Sequence, residues 1–272
     1  MTLASLSPRL AGWRNQLPLL WHLAREDLVD RHKGSVIGKA WTLIGPLINI
    51  LVFVLVFSKI MGARLEGFGA EIDQYTYSIY LICGMLAWTA FAKGLSTITN
   101  LFIERAHLIT KVKVSLKALP VSVLIAESVI YAISMLFFAV FLLLIGFPFS
   151  AWWLAVPLVF ALQLAFTYAL GLLLAILAVY LKDIREAVAV LLPVLFWTTP
   201  IVYVSDILPD GAMELMRFNP IYQLVDAYRD LIMYHTLPGP YGLAGVAALT
   251  LLLLASALWL LRRTERDLRD CI

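Results

Sequence analysis

"LFIERAHLITKVKVSLKALP" (residues 101–120) lies between two long apolar runs, and its reading decides the fold. It holds Glu104, Arg105, His107, Lys111, Lys113 and Lys117, the densest mid-chain cluster of charge in a chain that otherwise avoids charge. A charged segment between apolar runs long enough to cross a bilayer is a loop joining two membrane spans. The basic residues elsewhere in the chain decide which side of the membrane it faces.

The 272 residues are 62% hydrophobic and 14% charged, with a mean hydropathy of +0.88. Soluble domains are about half apolar and roughly a quarter charged, so this composition marks an integral membrane protein. A net charge of +3 is too small to point to nucleic acid. The two cysteines, Cys83 in an apolar run and Cys271 near the end, suggest neither a disulfide nor a metal site. Residues 1–35 mix Arg, Asp, Glu and His with apolar residues, unlike a cleavable signal.

A spanning helix needs roughly 20 mostly apolar residues. Six segments qualify: Ala40–Met61, Tyr77–Thr99, Leu119–Ile145, Trp152–Leu181, Ala187–Val204 and Tyr241–Leu261. The runs are continuous rather than alternating, which excludes a β-barrel. The expected fold is all-α integral membrane, with six transmembrane helices in residues 40–262. A cytoplasmic N-terminal region (1–39) and a tail (263–272) flank them. Basic residues gather at Arg25, Arg31, Lys33 and Lys39, at Lys111, Lys113 and Lys117, at Lys182 and Arg185, and at Arg262, Arg263, Arg266 and Arg269. The loops 62–76 and 146–151 are poor in them. All four basic sets fall on one side, which predicts that both termini and the 101–118 loop are cytoplasmic.

Three segments are more than plain spans or turns. Residues 17–36 are amphipathic, with Leu17, Leu20, Trp21, Ala24, Leu28 and Arg31 at helical spacing. They predict a helix at the membrane interface, or one packed on a partner. Segment 205–240 is long and patterned: Asn219–Pro220 is a helix start, and Asp226, Arg229 and Asp230 make the helix it opens too charged to span. The segment predicts two short re-entrant helices, about 207–217 and 221–235, dipping into the outer leaflet. In the fourth span Ala161, Ala165, Ala169, Gly171 and Ala175 are spaced for close helix packing.

Two charges fall inside spans, Lys93 in the second and Glu127 in the third, each about 10 Å from the cytoplasmic end at 1.5 Å per residue. Intramembrane charges are costly and seek partners, so a Lys93–Glu127 pair is expected. The alternative is that Lys93 snorkels to the interface and Glu127 is protonated or faces a water-filled path. No nucleotide chemistry is evident. "GSVIGKA" (34–40) differs from a phosphate-binding loop in spacing and has Ala40 where a Ser or Thr belongs. No metal-ligand cluster is seen, and His22, His32, His107 and His235 are scattered. The energy for any uphill movement is therefore expected to come from elsewhere than ATP chemistry in this chain.

Five stretches then carry a resemblance across nearly the whole chain: "RHKGSVIGKAWTLIGPLINILVFVLVFSKI" (31–60), "ICGMLAWTAFAKGLS" (82–96), "LITKVKVSLKALPVS" (108–122), "KDIREAVAVLLPVLFWTTPIVY" (182–203) and "NPIYQLVDAYRDLIM" (219–233). The chain resembles the permease subunit of the type-2 ABC exporters for polysaccharides, the O-antigen, teichoic acid and capsule class. It departs from that family after "ITKV", where an aromatic–Pro pair is usual and Lys113–Ser115 stands instead.

The resemblance implies a homodimer in the bacterial cytoplasmic membrane, joined to two ATPase subunits that bind ATP and Mg. It implies that the N-terminal helix and the 101–118 loop grip the ATPases, with Glu104, Arg105, His107 and Lys111 as the coupling candidates. The implied substrate is a lipid-linked glycan. Its path needs aromatic faces for sugar rings, for which Phe53, Phe57, Trp88, Phe91 and Trp197 are the candidates. Arg25, Arg31, Lys33 and Lys39 are candidates for the phosphates of the lipid anchor, or for anionic membrane lipids. The rivals are a drug or small-lipid exporter of the same class, and a secondary transporter coupled to protons through Glu127.

Overall fold

The computed structural model describes residues 7–31, 34–35, 38–62, 65, 70–111 and 114–271. Among them there is no strand. The helices are α1 (Ser7–Asp30), α2 (Trp41–Phe53, continuing as a π-helix over Val54–Ile60), α3 (Ala70–Glu104), α4 (Ala106–Lys111) and α5 (Leu119–Leu144). Next come α6 (Val156–Tyr180), α7 (Asp183–Thr198), α8 (Asp210–Met216), α9 (Pro220–Arg229, continuing as a π-helix over Asp230–Tyr234) and α10 (Pro240–Cys271).

Five segments are long and apolar enough to cross a membrane: Trp41–Ile60, Ile72–Glu104, Leu119–Leu144, Ala151–Tyr180 and Pro240–Arg269. The segment expected at 187–204 is α7, a helix of 16 residues. It stops at Thr198 because Pro200 disfavours helical backbone at Thr199.

Two helices exceed the expected spans. The 35 residues of α3 reach about 52 Å, well past a hydrocarbon core of about 30 Å. The last helix, α10, continues to Cys271.

The frame is α3, α5, α6, α9 and α10. Val156 and Val159 at the start of α6 share a core with Val246 near the start of α10. Leu172, Ala175 and Ile176 near the end of α6 share another with Leu261 and Leu268. The two helices therefore run in the same direction, and residues 181–239 return the chain from one end to the other.

Small residues set the α3–α6 distance. A Cβ on Gly171 would lie 2.8 Å from Ile98 Cγ2, so only glycine fits there. Ala169 and Ala175 are buried beside it, whereas Ala161 and Ala165 are exposed, so only the second half of the small-residue row packs. Buried Gln163 donates to the Ala87 carbonyl at 2.9 Å and ties the same two helices.

By contrast α2 and α7 lean on this frame lightly. Ile50 and Ser58 alone are buried in α2 and its π continuation, and Val188 alone in α7. Leu47, Leu51, Leu55, Val190, Val194 and Trp197 stand exposed.

Beyond α7 the expected short helices are present as α8 and α9. Asn219 caps α9, its side chain accepting from the Ile221 and Tyr222 amides at 2.9 and 3.4 Å. His235, with φ at +54°, ends the π-turn that continues α9. Cys83 is buried and Cys271 exposed, both as free thiols.

Candidate functional site

At the end where the last turns of α10 lie beside α1, four charged residues from three parts of the chain meet. Asp27 lies on α1 and Arg31 one turn later, so the two share a helix face. The Arg31 Nη2 donates to Asp27 Oδ2 at 3.0 Å and to Glu127 Oε1 at 2.5 Å. Glu127, on α5, is only 4% exposed. Arg105 Nη2 approaches Asp27 Oδ1 at 3.8 Å from the opposite side. Two cations and two carboxylates balance, which is what lets this much charge enter an apolar helical frame. Burial pulls the Arg31 guanidinium down, but the carboxylates of Glu127 and Asp27 and their hydrogen bonds outweigh it. Its pKa therefore lies above the ordinary arginine value, and the cation is held.

The expected partner of Glu127 is corrected here. Lys93 is exposed and makes no ion pair among the described residues; it attracts Glu127 only from farther away. The reason is helix rotation. A Cβ on Gly94 would lie 3.9 Å from Glu127 Cγ, so Gly94 faces α5 and Lys93 is turned about 100° away around α3.

Arg105 occupies the elbow between α3 and α4. Its carbonyl accepts from the Leu108 and Ile109 amides, both at 3.0 Å, and so starts the short α4. Ile109 is buried with Leu101, Phe102, Leu23, Val114 and Leu116, which seats α4 on the frame. Of the four coupling candidates, Arg105 turns inward to α1, while Glu104, His107 and Lys111 face outward and are exposed. On α1, Leu20, Leu23 and Ala24 are buried against the protein. Trp21, expected on the same side, is instead 60% exposed, and Arg25 is exposed as well. Arg31 is committed to carboxylates and not free for a phosphate. Lys33 and the side chain of Lys39 lie outside the described residues.

The aromatic candidates divide. Trp88 and Phe91 are core residues of this chain. Trp88 packs on Phe196 at 5.5 Å between centroids and Phe91 stacks on Phe166 at 5.8 Å, so neither is available to line a path through this chain. Phe57 leans on Tyr77 at 5.3 Å. Trp197 is 63% exposed on α7. Phe53 borders a cavity of about 270 Å³ between α2, α3 and α5, together with Asn49, Thr89, Glu127, Tyr131 and Ser134. The cavity places polar side chains beside the Glu127 carboxylate within the span.

At the opposite end the structure shows a residue that the sequence did not single out as a site. Arg229 on α9 is 1% exposed, yet no carboxylate pairs with it among the described residues. Its Nη1 and Nη2 donate to the carbonyls of Pro200 at 2.8 Å and Ile201 at 3.0 Å, and its guanidinium lies 3.4 Å from the Tyr80 ring centroid. Those carbonyls are free because the chain breaks from helix after Thr198. Tyr77 and Tyr80 donate to the next carbonyls, of Val202 and Tyr203. The break after α7 is thus pinned to α3 and α9. The available signal was an arginine in a mainly apolar segment, flanked by Asp226 and Asp230.

A carboxylate-bridged junction thus ties α1, the α3–α4 elbow and α5 together in a chain with membrane-spanning helices. Residues 18–233 match the family described as ABC-2 type transporter, and the chain belongs to that family. It is 31% identical over 255 residues to an "O-antigen export system permease protein RfbA" of Myxococcus xanthus, covering 91% of this chain and 93% of that one. Two proteins of the same description from Klebsiella pneumoniae are 26% identical over 224 residues and 25% identical over 216 residues. These cover 82% and 79% of this chain, and 83% and 80% of theirs. The chain is an integral membrane protein and a transport subunit of an ABC system.

Proposed function

We propose that this chain is the permease of an exporter that moves a lipid-linked polysaccharide, an O-antigen or a related surface glycan, across the bacterial cytoplasmic membrane. ATP and Mg are bound by two copies of a separate ATPase subunit, and two copies of this chain form the path. The observation that carries the reading is the junction of Arg105, Asp27, Arg31 and Glu127. It links the loop on which an ATPase can push to the interface helix α1 and to α5. A push on α4 moves α3 and α5 at their ends, and α1 moves with them because its charges are tied to both.

Six crossings are part of the proposal, with both termini cytoplasmic. Because α6 and α10 run in the same direction, α7 and the extended residues after it carry the chain back across. At 16 residues α7 is about 24 Å long, so the non-helical segment pinned by Arg229 completes the distance. The lightly held α2 and α7 suit a movable wall, and a second copy along their exposed apolar faces closes a path bordered by Phe53, Phe57 and Trp197.

The test is complementation in a strain that lacks this permease, with purification of the complex alongside. The expected result is restored surface glycan, an ATPase that co-purifies, and no ATP hydrolysis by the permease alone. Single cysteines at Lys111 and Leu237 should label from opposite sides of the membrane. Normal surface glycan without the permease, or labelling of both cysteines from outside, would overturn the reading.

A further inference from the structure

We propose that Arg269, at the end of α10, is a positioning residue for the coupling loop, and that the C-terminal tail is a third route by which movement of α4 enters the membrane domain. The proposal rests on the transport reading above.

The tail is built for this contact. With 32 residues α10 is about 48 Å long, so its last turns project beyond a bilayer core. On this projection Arg262, Arg263 and Arg266 are exposed, while Leu268 is fully buried in the core that holds Ile109, Val114 and Leu116. The next residue brings the polar contact. Arg269 Nη1 donates to the Ile109 carbonyl at 3.2 Å, and Nη2 to the Val114 carbonyl at 2.7 Å. Glu265 Oε1, one turn back on α10, lies 3.8 Å from the same guanidinium and helps to aim it.

These acceptors are informative. Ile109 belongs to the last turn of α4, where carbonyls have no partner within the helix. A cation there also meets the negative end of the helix dipole. A helix of 6 residues does not hold itself in water, so tertiary contacts fix its place. Leu268 supplies an apolar one and Arg269 the directional one. The planar fork of arginine reaches both carbonyls together, which the point charge of a lysine does not. Since α10 runs along α6, displacing α4 loads α10 and α6 as well as α3 and α5.

The test uses the full-length permease, alone and in complex with its ATPase. Amide hydrogen exchange over residues 106–116 reads the clamp in the permease alone. Export per ATP hydrolysed reads its function in the complex. Arg269→Ala should speed exchange there by about tenfold or more, since hydrogen bonds to charged groups are the stronger ones. In the complex it should cut export per ATP several-fold while the ATPase co-purifies in normal amount. Arg269→Lys should fall between wild type and Arg269→Ala in both measurements, and Arg266→Ala should match wild type.

Unchanged exchange in Arg269→Ala would overturn the proposal. So would export and ATP turnover falling together in proportion to folded protein. If Arg269→Ala gives no folded chain, Arg269→Lys decides: faster exchange supports the clamp and wild-type exchange overturns it. Should no ATPase bind the wild-type permease, the transport reading fails while the exchange measurement still judges the clamp.

Discussion

Two arginines drawn into the protein solve the same problem differently at the two ends of the molecule. Arg229 is almost sealed from solvent and held through its two Nη atoms by two backbone carbonyls and through its face by the Tyr80 ring. Arg31 is about one-fifth exposed and satisfied by two carboxylates on different elements. Carbonyls and ring faces are fixed by the backbone and cannot titrate, so the Arg229 contacts hold a shape. An ion pair between side chains on separate elements can open and reform as those elements move, so the Arg31 contacts suit a joint. On the transport reading proposed above, the difference gives the break after α7 the rigid part and the junction of α1, α4 and α5 the moving part.

The sharpest break of this comparison is Arg229→Leu. It leaves the Pro200 and Ile201 carbonyls without donors and removes a desolvated cation–π contact, costing about 3 kcal/mol or more. Folded yield and thermal midpoint in detergent should both fall steeply. A near-normal midpoint would remove the clamp role.

Next in size is Glu127→Leu, which leaves Arg31 with Asp27 as its one carboxylate partner. Breaking a fully buried pair costs about 3–5 kcal/mol, and the partial exposure of Arg31 should bring the loss below that range. Lys93→Met sharpens the point, since Lys93 is exposed and its loss should leave the thermal midpoint nearly unchanged. An equal drop for both variants would restore Lys93 as the partner.

Only a small effect on stability is expected for Arg105→Ala. Its contact with Asp27 is 3.8 Å long and partly solvated, worth about 0.2–1 kcal/mol. Export per ATP should nevertheless fall clearly, because the loop loses its charged tie to α1. Unchanged export per ATP would remove that tie from the account.

Much of the frame was legible because hydropathy marks spans directly. The run expected at 119–145 is α5, Leu119–Leu144, and Asn219–Pro220 does open α9. The intramembrane carboxylate stood out as well. Its partner did not, because Arg31 lies 96 positions away on a helix whose docking no local pattern reveals. Lys93 matched in depth but not in rotation, and the residue that faces Glu127 is its neighbour Gly94. Trp88 and Phe91 show the same limit. Aromatic residues mark a helix but not which of its faces is covered, and α3 is covered where they point. Arg229 and Arg269 were illegible as contacts for another reason: their acceptors are carbonyls freed where a helix ends, and a carbonyl carries no residue identity.

The central claim is that the Arg31–Glu127 contact joins the loop's movement to the span. A double-mutant cycle measured in the assembled exporter tests it most directly, with Arg31→Met, Glu127→Leu and the pair compared for export per ATP hydrolysed and for folded yield. Arg31→Met and Glu127→Leu should each lower both quantities. The double variant should regain much of the folded yield, with a coupling of about 1–3 kcal/mol between the sites, while export per ATP stays low because the joint is gone. Strictly additive losses of yield, or wild-type export per ATP in the double variant, would contradict the account.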